Sequence, residues 1–179
     1  MLNPNDKMSK VRALYAMINE RCLLYAPGNK NLSIDESMIP YYGRHGCKQF
    51  IRGKPIRFGF KLWCLATRLG YLVQFEPYQG AGTGRHELGL GAGVVLDLIK
   101  ELPDTNINLY FDNLFSSIKL MEKLTEMGVG GTGTLRSNRL EQCPLLPQKD
   151  IAAMPRGSFD YRYDAVRSTA VVCWNDNKL

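Results

Sequence analysis

The chain has 179 residues, 45% of them hydrophobic and 22% charged. That is the make-up of one ordinary globular domain with room for a real core, and it excludes a disordered tail, a collagenous chain and a coiled coil. No window approaches the roughly 18 consecutive apolar residues of a membrane span. The formal net charge is +6, and it is local: between Tyr41 and Phe75 there is no acidic residue but seven basic ones, Arg44, Lys48, Arg52, Lys54, Arg57, Lys61 and Arg68. Interleaved with Tyr42, Phe50, Phe58 and Trp63, this window suits a polyanion such as nucleic acid, the alternative being a solvated face of a strand pair. The opening Asn3-Pro4-Asn5-Asp6-Lys7 has no apolar h-region of a secretory signal. The five cysteines, Cys22, Cys47, Cys64, Cys143 and Cys173, are scattered and never form a C-x-x-C pair. They read as reduced thiols of an intracellular protein.

In chain order, Val11, Leu14, Tyr15, Ile18 and Cys22 recur at helical spacing until Pro27-Gly28, predicting an amphipathic helix whose apolar stripe packs on the core. Leu32 to Asp35 reads as a short strand, and 41–55 as a basic, Gly-containing loop with short extended pieces. Phe58, Phe60, Leu62 and Cys64 alternate into a hairpin that turns at Arg68-Leu69-Gly70 and returns over 71–77. Six glycines between Gly80 and Gly93 suggest a phosphate loop. No Gly-Lys-Ser/Thr follows, however, and Gly82-Thr83-Gly84 lacks the third glycine of a dinucleotide fingerprint, so a mobile connection is expected there. A helix over Val94–Leu102, a strand over Ile107–Asp112, a helix over Ile118–Met127 capped by Gly128, and a Gly/Thr-rich strand over 129–135 follow. Beyond Cys143, prolines mark a loop before a strand pair at 159–162 and 170–174. His45 and His86 stand in no ligand spacing and read as loop residues. Trp63 and Trp174 read as core or hairpin packing residues, base stacking being the alternative for Trp63.

This order is mixed α/β. A right-handed crossover through the 94–102 helix lays the 107–112 strand parallel in the sheet, most simply beside Leu32–Asp35. Asp35 and Asp112 then stand at the C-terminal ends of two apolar-alternating strands. Neighbouring strands lie about 4.8 Å apart, so the two carboxylates repel unless a cation sits between them, and Mg²⁺ is the natural one. The alternative is that both aspartates cap turns.

Asn31-Leu32-Ser33-Ile34-Asp35-Glu36-Ser37-Met38, then Gly43-Arg44 and Lys54-Pro55 with Gly59-Phe60-Lys61, resembles the catalytic core of piggyBac-type transposases. So do Tyr110 through Ser117, Gly131 through Arg139, and Trp174-Asn175-Asp176-Asn177-Lys178. The likeness runs in order over nearly the whole chain and looks strongest to the domesticated, transposon-derived members in animals.

The resemblance implies an RNase H-like mixed sheet flanked by helices, incomplete at the C-terminal side. Residues 1–29 would be an N-terminal helical region, 30–137 a partial catalytic core, and 138–179 the start of an insertion domain. It implies a DDE/DDD site in which Asp35 and Asp112 are catalytic and bind Mg²⁺, two ions in the family. Arg44, Lys48, Arg52, Lys54, Arg57, Lys61, Arg136 and Arg139 become DNA-binding candidates. Transposon-end DNA is the implied partner, a homodimer the implied assembly and the nucleus the implied location. The family's third acid lies beyond the Trp-Asn-Asp-Asn-Lys motif, and Asp176 does not substitute for it. The expectation is therefore a fragment, truncated gene model or decayed copy that is inactive alone, with apolar surface laid bare where a helix should cover the sheet. The competing expectation is a domesticated, non-catalytic DNA-binding protein.

Overall fold

The computed structural model describes residues 6–80, 86–103, 106–140 and 142–176. Gly82-Thr83-Gly84, Asn3 to Asn5 and Asn177-Lys178 lie outside them. In chain order the elements are α1 (Arg12–Leu24), β1 (Asn31–Pro40), β2 (Gln49–Phe50), β3 (Phe58–Thr67), β4 (Leu72–Pro77), α2 (Leu90–Ile99), β5 (Asn108–Phe111), α3 (Ile118–Glu126), β6 (Gly130–Gly133), a 3-10 turn (Ser137–Arg139), α4 (Gln148–Ala153), β7 (Phe159–Asp164) and β8 (Thr169–Trp174). One six-stranded sheet runs β2-β3-β1-β5-β6, with β4 also paired to β3, and β7 and β8 form a separate hairpin. β1 is antiparallel to β3 and parallel to β5, and β5 is parallel to β6. The mixed sheet and the placement of the 107–112 segment beside the first strand are as the sequence implied.

One face of this sheet carries the core. Leu32 and Ile34 on β1, Leu65 on β3, and Leu109 and Phe111 on β5 share a face through period-two alternation, and all are buried. They pack with Val94, Val95, Leu98 and Ile99 of α2 and Leu120 and Leu124 of α3 in one continuous cluster. Each such side chain contributes about 1.5–3 kcal/mol on burial. α3 begins at Ser117, whose hydroxyl accepts from the Leu120 N–H, and ends at Gly128 in a left-handed conformation, as its sequence predicts.

The opposite face of β1, β5 and β6 is open and polar. It presents Asn31, Ser33, Asp35 and Ser37, then Asn108 and Tyr110, then Thr132, all exposed. Asn31 Oδ1 accepts from Asn108 Nδ2 and from the Tyr110 hydroxyl across the strands. The expected bare apolar surface is therefore not found around the acid pair, where the exposed residues from Asn31 to Ser37 on β1 and the partners Asn108 and Thr132 are polar; it lies farther along β1, where Ile39 is exposed.

Two further expectations change. The predicted apolar stripe of α1 packs only in part: no α1 residue is fully buried, Leu14 keeps 54% of its surface and Ile18 37%, and only Tyr15 and Cys22 of the stripe are half-buried. The helix docks on β4 through Tyr15 and Cys22 together with the more polar Arg12 and Asn19. β4 is an edge strand, and Asn19 satisfies its outward backbone, donating from Nδ2 to the Phe75 carbonyl (2.8 Å) and accepting from the Phe75 N–H (3.0 Å). Tyr15 meets Phe75 edge-on, the Tyr71 hydroxyl donates to the Cys22 carbonyl, and Arg12 bridges Asp6 and Glu76. Second, the glycine-rich stretch read as a mobile connection already belongs to α2 from Leu90 on. Gly91 sits so close to the Leu114 carbonyl and Phe115 that a Cβ would collide with that backbone.

Candidate metal and nucleic-acid site

Asp35 is not at a strand end. β1 continues to Pro40 because the ten-residue β3 pairs with it along its length, from Leu32↔Thr67 to Pro40↔Gly59. What ends near Asp35 is the parallel partner, since the last β1–β5 rung is Ile34↔Phe111. One step past that rung stand Asp35 and Asp112. Alternation turns both away from the core, and both are exposed on the open face.

Each carboxylate is held by its own chain. Asp35 Oδ1 accepts from the Glu36 N–H (2.7 Å), and Asp112 Oδ1 accepts from the Leu114 N–H (2.7 Å), an Asx-type turn. So the turn-capping alternative is also true of Asp112, but it occupies only one oxygen. Neither aspartate has an ion-pair partner among the described residues, in a chain with formal net charge +6. Beside Asp35, the Cys64 thiol is pushed up to about 11, first by burial and then by the Asp35 charge. Among the described residues no three His, Cys, Asp or Glu side chains assemble into a metal cage. A two-carboxylate donor set with free oxygens nonetheless fits a hard cation that completes its shell with water and phosphate oxygens.

The loop after Asp112 is wedged from several sides. Its carbonyl accepts from the Phe115 and Ser116 N–H groups and from Ser116 Oγ. Arg139 Nη1 donates to the carbonyls of Asn113 (2.8 Å), Ser116 (2.9 Å) and Leu114 (3.4 Å). Arg136 Nε donates to Asn113 Oδ1 (2.8 Å). Gly133 of β6 leaves room for Ser116 Oγ and the Phe111 ring, as Gly91 does for Leu114. Sequence reasoning missed this shell, although glycines in a strand and at a helix start are the signal of close backbone approach.

The basic candidates are not one stripe. Arg52, Lys54 and Arg57 lie on the tight turn between β2 and β3, closed by the Ile51 N–H donating to the Arg57 carbonyl. Arg44 and Lys48 lie on the preceding loop. Lys54 approaches Glu36 at 3.7 Å, Lys48 lies over the Phe58 ring, and Lys61 over the Trp63 and Tyr78 rings. Arg68 is at the other end of β3, about 30 Å away along the strand. Arg136 and Arg139 stand beside Asp112, engaged with its loop. Trp63 is 6% exposed with its Nε1–H buried and unpartnered, so it is a core residue, and base stacking by it is ruled out. A cleft of about 910 Å³ between α3, the 133–148 segment and β8 reaches Asn113 and Arg136 but contains neither aspartate.

A family model described as Transposase IS4 matches residues 2–179. The chain belongs to that transposase family. Among its relatives, the human PiggyBac transposable element-derived protein 3 is 47% identical over 99% of this chain, and human PiggyBac transposable element-derived protein 2 is 40% identical over the same share. The chain spans 31% of the length of each. A cryo-EM structure of a piggyBac transposase synaptic complex with hairpin DNA superposes with a TM-score of 0.81 at 29% identity, covering 95% of this chain and 35% of that one. The piggyBac likeness read from the motifs therefore holds for both sequence and fold.

Proposed function

We propose that this chain carries the two-aspartate part of a DNA transposase catalytic core. Asp35 and Asp112 would jointly hold Mg²⁺, and the β2–β3 turn with its flanking loop would hold DNA phosphates. The observation that carries this reading is the pair itself: two exposed aspartates, each one step past the last rung between adjacent parallel strands, with no ion-pair partner among the described residues. Similarity to a transposase solved with hairpin DNA supports it.

When bound, Mg²⁺ supplies activation of an attacking oxygen and stabilisation of the leaving one. The chain's own residues do the positioning. The Glu36 and Leu114 N–H groups fix one oxygen of each carboxylate and leave the other for a ligand. Arg139, Arg136, Gly91 and Gly133 fix the loop that follows Asp112. Arg44, Arg52 and Arg57, which have no ion-pair partner among the described residues, are the leading phosphate contacts, with Lys48, Lys54 and Lys61 behind them because each already faces a ring or a carboxylate. The reading places the protein in the nucleus and allows assembly as a homodimer.

Two carboxylates hold a second divalent ion poorly, so the isolated chain should nick DNA only in trace amounts and show no transposition. The non-catalytic DNA-binding reading shares the phosphate contacts and differs in having no metal at the aspartate pair. The experiment is a Mg²⁺- or Mn²⁺-dependent nicking assay on the chain with Asp35→Asn and Asp112→Asn controls. Trace cleavage abolished by both substitutions supports the metal site, and equal background in all three proteins supports the non-catalytic reading. Robust cleavage that both abolish would overturn the expectation of an incomplete site.

A further inference from the structure

The side of the sheet that carries the acid pair continues along β1 and β3, past the buried Leu62, and changes character. Register partners run Asp35↔Cys64, Ser37↔Leu62 and Ile39↔Phe60, and two residues further along the same side of β3 stands Phe58. Phe58 is the direct cross-strand partner of Phe50 on β2, their ring centroids 4.8 Å apart at 36°. Such a pair would normally shield itself or be covered, yet Phe50 keeps 58% of its surface and Phe58 and Ile39 keep 43% each. The patch thus lies on the face of Asp35, about 20 Å along the strands from it. Lys48 lies over the Phe58 ring, and the loop before β2 and the turn that joins Phe50 to Phe58 carry Arg44, Arg52 and Arg57, without carboxylate partners among the described residues.

An exposed aromatic pair with one cation on its ring, on strands joined by a basic, acid-free turn, suits a partner with π-faces joined by negative charge. A protein partner would need an acidic and apolar surface together. A duplex would satisfy the cations but leave the rings facing its backbone. We infer that Phe50 and Phe58 form a stacking platform for unpaired nucleobases, so that this chain prefers DNA with a single-stranded tract over fully paired DNA of the same sequence. The inference rests on the DNA-binding reading above and deepens it. Base–aromatic stacking tolerates any sequence, and loss of one aromatic costs about tenfold or more in affinity. The cations supply the salt-dependent part, which does not distinguish bases.

The test is fluorescence anisotropy of the whole chain with a labelled duplex and with the same duplex carrying a six-nucleotide gap, each over a salt series. The gapped probe should bind about tenfold more tightly. Phe50→Ala and Phe50→Leu should both bring its affinity to that of the duplex while leaving the salt slope unchanged, since no cation is lost. Phe50→Trp should keep the preference and show indole quenching on the gapped probe. Phe50 is the variant of choice because it is the more exposed ring of a two-residue edge strand, so its loss leaves the core intact. Equal binding of both probes by the unsubstituted chain, with a steep salt slope, would overturn the platform but leave DNA binding standing. Retention of the preference in Phe50→Leu would overturn it too, because an aliphatic contact would then suffice. No salt-sensitive binding to either probe would overturn both readings.

Discussion

Arg139 reaches three carbonyls from one guanidinium nitrogen, and all three belong to the loop that Asp112 opens. An alanine there would leave carbonyls of a partly buried loop with poorer partners, a loss of about 1–3 kcal/mol. Arg139→Ala should lower the urea midpoint accordingly, whereas Arg52→Ala on the exposed β2–β3 turn should leave it within about 0.5 kcal/mol. An equal effect of the two would mean that Arg139 does not hold the loop. Cys64 offers a second readout on the same face. With its thiol pushed up to about 11 by burial and by Asp35, little thiolate exists at pH 8. Iodoacetamide should modify it on the order of 100-fold more slowly in the folded chain than in the urea-denatured one. Comparable rates in the two states would show that Cys64 is neither buried nor beside the carboxylate.

Gly91 weakens α2 as a helix residue but lets the helix approach the Leu114 backbone closely. Gly91→Ala gains up to about 1 kcal/mol of helix propensity, but its methyl meets the Leu114 backbone, which cannot swing aside as a side chain would. Overpacking of that kind costs about 1–3 kcal/mol, so the substitution should destabilise on balance, and thermal unfolding would record a lower midpoint. A raised midpoint would mean that the helix and the Asp112 loop are not in contact. These elements also mark what the sequence could reveal. β5, α3 and the β3–β4 hairpin were legible because alternation or 3.6-residue spacing coincides with burial on one face. In α1 the stripe of Val11, Leu14, Tyr15, Ile18 and Cys22 divides: Tyr15 and Cys22 meet β4 and its turn, while Val11, Leu14 and Ile18 stay exposed, because the sheet edge needs backbone partners, which Asn19 supplies and a leucine cannot. The acid pair was legible through parity alone. Its true position, beside the end of β5 and not at the end of β1, depends on the long-range β1–β3 ladder, which no local pattern encodes. The clamps by Arg136 and Arg139 were hidden for the same reason: a basic residue looks alike in sequence whether it meets phosphate or a carbonyl.

For the molecule as a whole, charge and topology divide the work. The open face brings the acids of β1 and the Asp112 loop together, and the β2–β3 turn gathers the cations at the other end of the same sheet. If those cations bind phosphates, replacing Arg52, Lys54 and Arg57 together by Ala should weaken binding uniformly across sequences and flatten the slope of log affinity against log salt by about 2–3. An unchanged slope would remove this turn from the interface. The acid pair is tested most directly by Mn²⁺ binding, followed by electron paramagnetic resonance, in the unsubstituted chain, Asp35→Asn, Asp112→Asn and the double variant. One shared site predicts that each single substitution weakens Mn²⁺ about tenfold or more and that the double variant is little worse than either, because the partners of one site are not additive. Independent, additive losses, or affinity unchanged in either single variant, would contradict a metal site shared by Asp35 and Asp112.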